Sequence, residues 1–586
     1  MRNRVGLALA AVLVGAVVVA YLPALRAGFV WNDDTYLTGN ATLDETGGLR
    51  RIWADPRANE QYYPAVFTSF WVEKRLWGLH PFGYHLVNVL LHAGSALLLW
   101  WLLRRLGLPG GWLAAALFAL HPVCVESVAW VTERKNTLSL LLTLLAAHAY
   151  LASASARDAP AGPRGRRTAP PGPWYRTPRA LYGAAFALFT LALLAKTTAA
   201  VLPAVLLVIA WWRKGKVRWA DARPLLPFFA AGAALALNTA WLERAMVGAS
   251  GAEWSLSALG RIVLAGRVLA FYIGKLVWPA GLAFIYPRWT ITPAAWSQWL
   301  PALAALAAVA ALAALRRRIG RGPLAGALLF GGVLFPAMGF FNVYAMRYSY
   351  VADHFAYQAV AVFSAALAAG AAGLLEGKGR ALRSAAAAAG VLVVATLAIL
   401  TFRQARTYRD ADTLWRDTLA ANPDCFMCCN NYGYSLYARG RVADAVALFE
   451  RSLRLQPDNA PALLNLARVD EDRGDLDGAI ARLRVARRVA PGNTTVMVNL
   501  ATDYTKTGRY DEAKAEYQQA LAHPSGDDYL AHNGLGVALM HEGDVAGAVE
   551  QFRAALLARP GYWMARANLE RALPRLGVPA AEPPRP

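Results

Sequence analysis

Two adjacent carboxylates, Asp33 and Asp34, stand in the motif Trp31-Asn32-Asp33-Asp34, shortly after an apolar run from Val5 to Leu25. At the edge of a membrane segment such a pair suits a general base or a cation site. Sequence neighbours do not share a helix face and alternate on a strand. One acid is therefore expected to act while the other holds backbone or binds substrate. A second concentration runs from His121-Pro122-Val-Cys124-Val-Glu126 to Glu133-Arg134-Lys135-Asn136. Arg134 and Lys135 are cations suited to a phosphate, the arginine through its planar fork, with His121 or Glu126 to orient them. Lys196 interrupts a long apolar stretch, where a lysine either snorkels to the surface or meets a phosphate. The run Arg347-Tyr348-Ser-Tyr350-Val-Ala352-Asp353-His354 adds a cation, a carboxylate and a titratable imidazole.

Three further groups read as structural. Tyr272, Lys275, Pro279, Tyr286 and Arg288 fit anchoring at the membrane boundary. His85, Asn88 and His92 share a helix face, and with no carboxylate or cysteine near them they are read as hydrogen bonding between helices. Cys425-Phe-Met-Cys428-Cys429 offers a disulfide in an oxidising exterior and a packing cysteine, while the lack of a second CxxC or a histidine pair speaks against zinc. The acid pair leaves metal dependence open: two carboxylates suit a divalent ion, but no second ligand set accompanies them.

The elements that must position these groups are membrane helices. Of the 586 residues, 57% are AVILMFWYC and 17% are charged, against about 45–50% and about 25% in an ordinary soluble chain. The net charge of +22 alone suggests nucleic acid. Most of the basic residues, however, flank apolar runs, as in cytoplasmic loops of membrane proteins, and no nucleic-acid partner is expected. A crossing needs about 20 apolar residues. Spans are placed near 5–25, 86–103, 111–130, 137–153, 180–196, 197–212, 222–243, 300–315, 324–341, 358–375 and 385–402, about eleven in all. Arg104-Arg105, Arg164–Arg167, Arg213–Arg218, Arg316–Arg321 and Lys378–Arg383 then fall on one side. The stretch 260–278 breaks that pattern if it crosses, so it is read as re-entrant or interfacial. This parity puts the N-terminus in the cytoplasm and 26–85, 244–299 and everything after 402 outside it. Segment 157–179, rich in Pro, Gly and Arg, is read as a flexible cytoplasmic loop.

Residues 403–586 look soluble and repeat themselves. Prolines at 423, 457, 491, 524 and 560 are spaced 34, 34, 33 and 36 apart. Gly433, Ala467, Ala501 and Gly536 allow a close helix contact, and Gly440, Gly474, Gly508 and Gly543 turn the chain. Ala445, Ala479, Ala513 and Ala548 are each followed one helical turn later by Phe449, Leu483, Tyr517 or Phe552. The pattern resembles the tetratricopeptide repeat, predicting about four helix pairs, a half repeat at 408–422 and a cap at 561–577. The predicted fold is all-α: a polytopic membrane domain over 1–402, then a tetratricopeptide-repeat solenoid over 403–586.

The order of these features carries a further resemblance. An acid pair after the first span, Pro81-Phe-Gly83-Tyr84-His85-Leu-Val-Asn88 before the second, His121-Pro-Val-Cys-Val-Glu126-Ser-Val-Ala-Trp130-Val after the third, Ala352-Asp353 and a repeat domain together resemble the transmembrane and tetratricopeptide-repeat O-mannosyltransferases and their bacterial relatives. These belong to the GT-C glycosyltransferase fold. The resemblance implies a polyprenyl-phosphate-linked sugar as donor and an exported protein as acceptor, with the repeats presenting it. It places the enzyme in the inner, cytoplasmic membrane and assigns catalysis to Asp33 or Asp34. The charges themselves give the donor phosphate to Arg134, Lys135, Lys196, His354 and Arg347, with His121, Glu126 and Asp353 in support. Where the family's later loop carries arginine after Ala-Asp, this chain has His354, and Arg347 or Lys196 are the cations that compensate.

Overall fold

The computed structural model describes residues 2–158, 177–245, 256–523 and 528–577. Among them every regular element is helical, and the chain divides into two compact units, Met1–Pro423 and Asp424–Pro586. The loop expected at 157–179 lies almost wholly outside the described residues, as does Pro524.

The first unit is a membrane domain. Among the described residues, eight helices are long and apolar enough to cross a bilayer, from Pro81–Arg105 to Arg380–Tyr408. Gly111–Ala119 and Pro122–Ala129 make a ninth if counted as one bent span. They meet at 54° because Pro122 lacks the N–H that would continue the first helix. The remaining two stretches are shorter apolar helices, Arg4–Ala20 and Gly322–Ala337. Helix ends follow local chemistry: Pro81–Arg105 begins on proline and ends on two arginines that complement its dipole. Stretch 260–278 forms the amphipathic helix Ala258–Val277, capped by Ser257, carrying Arg261, Arg267 and Lys275. Its buried face includes Val263, Leu264, Val268, Tyr272 and Leu276. The helix predicted as a half repeat, Ala411–Ala421, is capped by Asp410 and falls in this first unit.

The second unit stacks helix pairs from Phe426–Tyr437 with Val442–Leu455 through Asp528–Glu542 with Val545–Ala558, followed by Trp563–Ala572. The four turn glycines have φ of 76, 81, 75 and 90°, the left-handed region that glycine enters freely. At Gly433 a Cβ would sit 2.7 Å from Phe449 Cε1, so the close contact requires glycine. Cys425 and Cys428 are joined in a disulfide, and Cys429 is a buried free thiol.

Candidate functional site

The two acids of the first loop lie in opposite environments. Trp31 turns the chain with φ of 48°, strained for a non-glycine residue. Its ring stacks on Trp130 at 5.2 Å, with the edges of Phe284 and Trp415 around it. The turn sends Asp33 inward, where it is fully buried. One Asp33 oxygen accepts the Val30 N–H at 2.9 Å, and the other accepts the Thr132 N–H and hydroxyl at 2.8 and 2.7 Å. Burial outweighs these hydrogen bonds and pushes its carboxyl up to about 6. Asp34 is exposed, and its Oδ1 accepts the N–H of its neighbour Thr35 at 2.7 Å.

Thr132 leads directly into the second cluster, centred on the buried Glu133. Lys135 Nζ lies 3.0 Å from Glu133 Oε1, Lys196 Nζ donates to Oε2 at 3.3 Å, and Asn136 Nδ2 donates to Oε2 at 2.6 Å. Lys196 reaches this point because the helix Pro178–Ala195 breaks there, its backbone turning extended before Thr197–Val201. Both lysine side chains are only 12% exposed. An ammonium has three donors, and the two lysines share the one carboxylate of Glu133. Lys135 also stands over the rings of Tyr36 and Trp130, at 5.3 and 5.6 Å. The indole N–H of Trp130 is buried with no hydrogen-bond partner among the described residues. His354 closes another side: its Nδ1 donates to Glu126 Oε1 at 2.9 Å, its backbone N–H bonds Oε2 at 3.0 Å, and Nε2 lies 4.0 Å from Glu133 Oε1.

Glu60 joins the two acids' loop to this basic cluster. Burial raises its carboxyl above the usual range, the Lys135 charge pulls it down, and the Asp34 charge pushes it up. Asp34 and Lys135 thus act on one carboxyl.

Other expected site residues serve the scaffold. Arg134 is fully buried, and all five of its N–H donors are taken: Nε by Asn88, the remaining four by Ser69, the Glu73 carboxylate and the Tyr84 carbonyl. A donor phosphate has no access to it, which corrects the expectation from its sequence position. His121 accepts the Val123 N–H at Nδ1 and bonds the Leu276 carbonyl through Nε2 at 3.1 Å, tethering the Ala258–Val277 helix. Asp353 is buried and accepts the Tyr286 hydroxyl at 2.8 Å, so Tyr286 holds a loop rather than the membrane boundary. Arg347 is half-buried in the turn Tyr344–Arg347. His85, Asn88 and His92 bond the Gly28 carbonyl, the Trp130 carbonyl and the Tyr357 hydroxyl, connecting separate segments. No group of three or more His, Cys, Asp or Glu residues converges as a metal site among the described residues.

Residue type and spacing single out the cations and not the acids that organise them, Glu133, Glu60 and Glu73. The available signal was charge balance: a buried arginine or lysine needs a partner, and Glu133 adjoins both Arg134 and Lys135 in sequence.

Tetratricopeptide-repeat family models match residues 396–460 and 498–562, and 436–502. The chain is similar to "Protein O-mannosyl-transferase TMTC1" of Mus musculus, 34% identical over 156 residues, covering 24% of this chain and 16% of the relative. It is also similar to "Protein O-mannosyl-transferase Tmtc1" of Drosophila melanogaster, 35% identical over 144 residues, covering 22% of this chain and 17% of the relative. The match thus spans about a sixth of the length of these curated relatives. Among solved structures the chain is similar to PilF of Pseudomonas aeruginosa, 20% identical with a TM-score of 0.25, covering 26% of this chain and 69% of that one. The mouse and fly relatives bear the name of the family that the sequence motifs resemble.

Proposed function

We propose that this chain is an integral-membrane glycosyltransferase that moves mannose or another hexose from a polyprenyl-phosphate carrier to a hydroxyl of an exported protein. The observation that carries the reading is the pair of largely buried ammoniums, Lys135 and Lys196, held on one carboxylate beside the loop that exposes Asp34. The names of the curated relatives support the same activity.

In this reading the acceptor hydroxyl, a poor nucleophile with a very high pKa, attacks the anomeric carbon while Asp34 takes its proton. The bond between that carbon and the carrier phosphate oxygen breaks, and the bonding pair leaves with the phosphate. Lys135 and Lys196 stabilise the charge gathering there, in surroundings that hold little water to screen it. The His354 ring, fixed by Glu126, and the Trp130 indole N–H supply further donors. One displacement inverts the anomeric centre and needs one acting carboxylate, unlike the paired acids of retaining glycosidases. Asp33 keeps the loop in register. The membrane would be the inner, cytoplasmic one, with the N-terminus in the cytoplasm and the site and repeats outside, the repeats raising the local concentration of acceptor.

The test is sugar transfer by the purified chain in detergent, from a synthetic polyprenyl-phosphate mannose to a serine- and threonine-containing peptide. Asp34→Asn is expected to slow transfer about 10²- to 10⁴-fold. Lys135→Met together with Lys196→Met is expected to weaken use of the lipid donor more than use of the peptide. Full activity of Asp34→Asn would remove the base, and no transfer by the unaltered chain would favour a non-enzymatic repeat scaffold.

A further inference from the structure

Glu243 is a buried acid outside the cluster around Glu133, near the end of the helix Leu226–Ala245. No cation pairs with it among the described residues. Its Oε1 accepts the side-chain N–H of Gln61 at 2.8 Å, and its Oε2 accepts the Tyr344 backbone N–H at 3.0 Å. Gln61 Oε1 in turn accepts the Tyr36 hydroxyl at 2.6 Å. Tyr36 is buried and stacks on Phe67 at 5.3 Å, and the Lys135 ammonium stands 5.3 Å from its ring centroid. The first loop, the end of a span and the turn Tyr344–Arg347 thus meet in one hydrogen-bonded line that ends beneath Lys135.

We propose that Glu243 is a positioning residue for the lipid donor, setting where Lys135 stands through Gln61 and Tyr36. The inference rests on the reading that Lys135 meets the donor phosphate, and it adds a residue that never touches that phosphate.

The line has a direction, and the acid fixes it. A carboxylate only accepts hydrogen bonds, so Gln61 must turn its NH2 to Glu243 and its carbonyl to Tyr36. The Tyr36 O–H must then donate to that carbonyl, which holds the phenol in one place. An ammonium over an aromatic ring is drawn to the electron-rich face. Glu133 takes one donor of Lys135 at 3.0 Å, and the fixed ring restrains the ammonium from a second direction. A charge held in place beforehand stabilises a leaving phosphate better than one that must reorient. Replacing the acid by its amide reverses the line. In Glu243→Gln the Tyr344 N–H still claims the carbonyl oxygen, so the new NH2 turns to Gln61. Gln61 must flip to accept it, and Tyr36 loses its acceptor.

The test is equilibrium binding of radiolabelled farnesyl phosphate, a short polyprenyl phosphate, to the full chain in detergent with no acceptor present. Farnesol supplies the same tail without the charge. Glu243→Gln and Tyr36→Phe are each expected to weaken farnesyl phosphate about three- to tenfold, and to leave farnesol unchanged. Both cut the same line, so the double variant is expected to bind no more weakly than the worse single one, where independent effects would multiply. Multiplied losses in the double variant would overturn the inference, as would native affinity in Glu243→Gln. Equal weakening of farnesol would also overturn it, because the variants would then disturb the cleft as a whole. An unaltered chain that binds farnesyl phosphate no better than farnesol would overturn the donor reading itself, and this inference with it.

Discussion

Asp33 and Asp34 are neighbours in sequence with different work, and substitution separates them. Asp33→Asn turns an amide N–H toward either Val30 or Thr132, both of which donate to Asp33 in the native loop. Leaving one buried donor unpaired costs about 1–3 kcal/mol, so the melting temperature should fall, whereas Asp34→Asn should melt like the native chain and lose transfer. The Asp33 carboxyl also sets a pH dependence. Its folded value of about 6 lies above its ordinary 3.8. Between those values the folded chain holds a proton that the unfolded chain has released, so stability from this group is present below 3.8 and lost as pH rises through about 6. Melting curves at pH 5 and pH 7.5 should show the native chain's advantage over Asp33→Asn shrinking at the higher pH. A constant difference would assign the shift to other groups. The sequence makes the pair legible, together with the expectation of unequal roles. Which acid is buried depends on Trp31 in its left-handed turn and on Thr132, 99 residues away, and no local pattern encodes that contact.

Helices as units are readable from hydropathy, because a backbone inside lipid has to bond to itself and about twenty apolar residues suffice to cross as a helix. Each of the eleven expected stretches coincides with an apolar helix or with the bent pair, and 260–278 keeps its separate, amphipathic character. What hydropathy does not carry is how one element grips another. Arg134, at the start of Arg134–Asp158, ties Pro64–Trp77 through Ser69 and Glu73 to Pro81–Arg105 through Asn88 and Tyr84. A cation adjoining Lys135 looks like a phosphate ligand when only the sequence is considered, yet helix periodicity points the two in different directions. Arg134→Met should therefore act through folding. Removing one member of a buried ion pair costs about 3–5 kcal/mol, read as a collapse of the monodisperse peak in detergent chromatography. Lys135→Met should elute normally and fail only in donor use. Normal elution of Arg134→Met with a selective loss of donor binding would return the arginine to the site.

At the scale of the whole chain, composition and repeat spacing both suggest a division near 402, where the last apolar stretch ends and the soluble sequence begins. Packing puts the division at Pro423 instead. Residues 403–423 look like repeat because Ala411–Ala421 has the amphipathic pattern of one, but its apolar side covers the first loop of the membrane unit. Trp415 meets Trp31 and Phe284, Asn422 Nδ2 donates to the Ile285 carbonyl at 3.2 Å, and the Arg409 carbonyl accepts the Gly28 N–H at 2.9 Å. Those contacts brace the turn that sets Asp33 and Asp34. Two truncations distinguish the boundaries. A chain ending at 423 should keep the native melting temperature of the membrane unit and still glycosylate a short free peptide, while losing preference for long acceptors. A chain ending at 402 exposes Trp31 and Phe284 and forfeits burial of about 1.5–3 kcal/mol for each large side chain left uncovered. It should melt lower and transfer to neither acceptor. If the shorter chain matches the longer in both measurements, Ala411–Ala421 is an ordinary piece of the solenoid and the acid pair is positioned by the membrane helices alone.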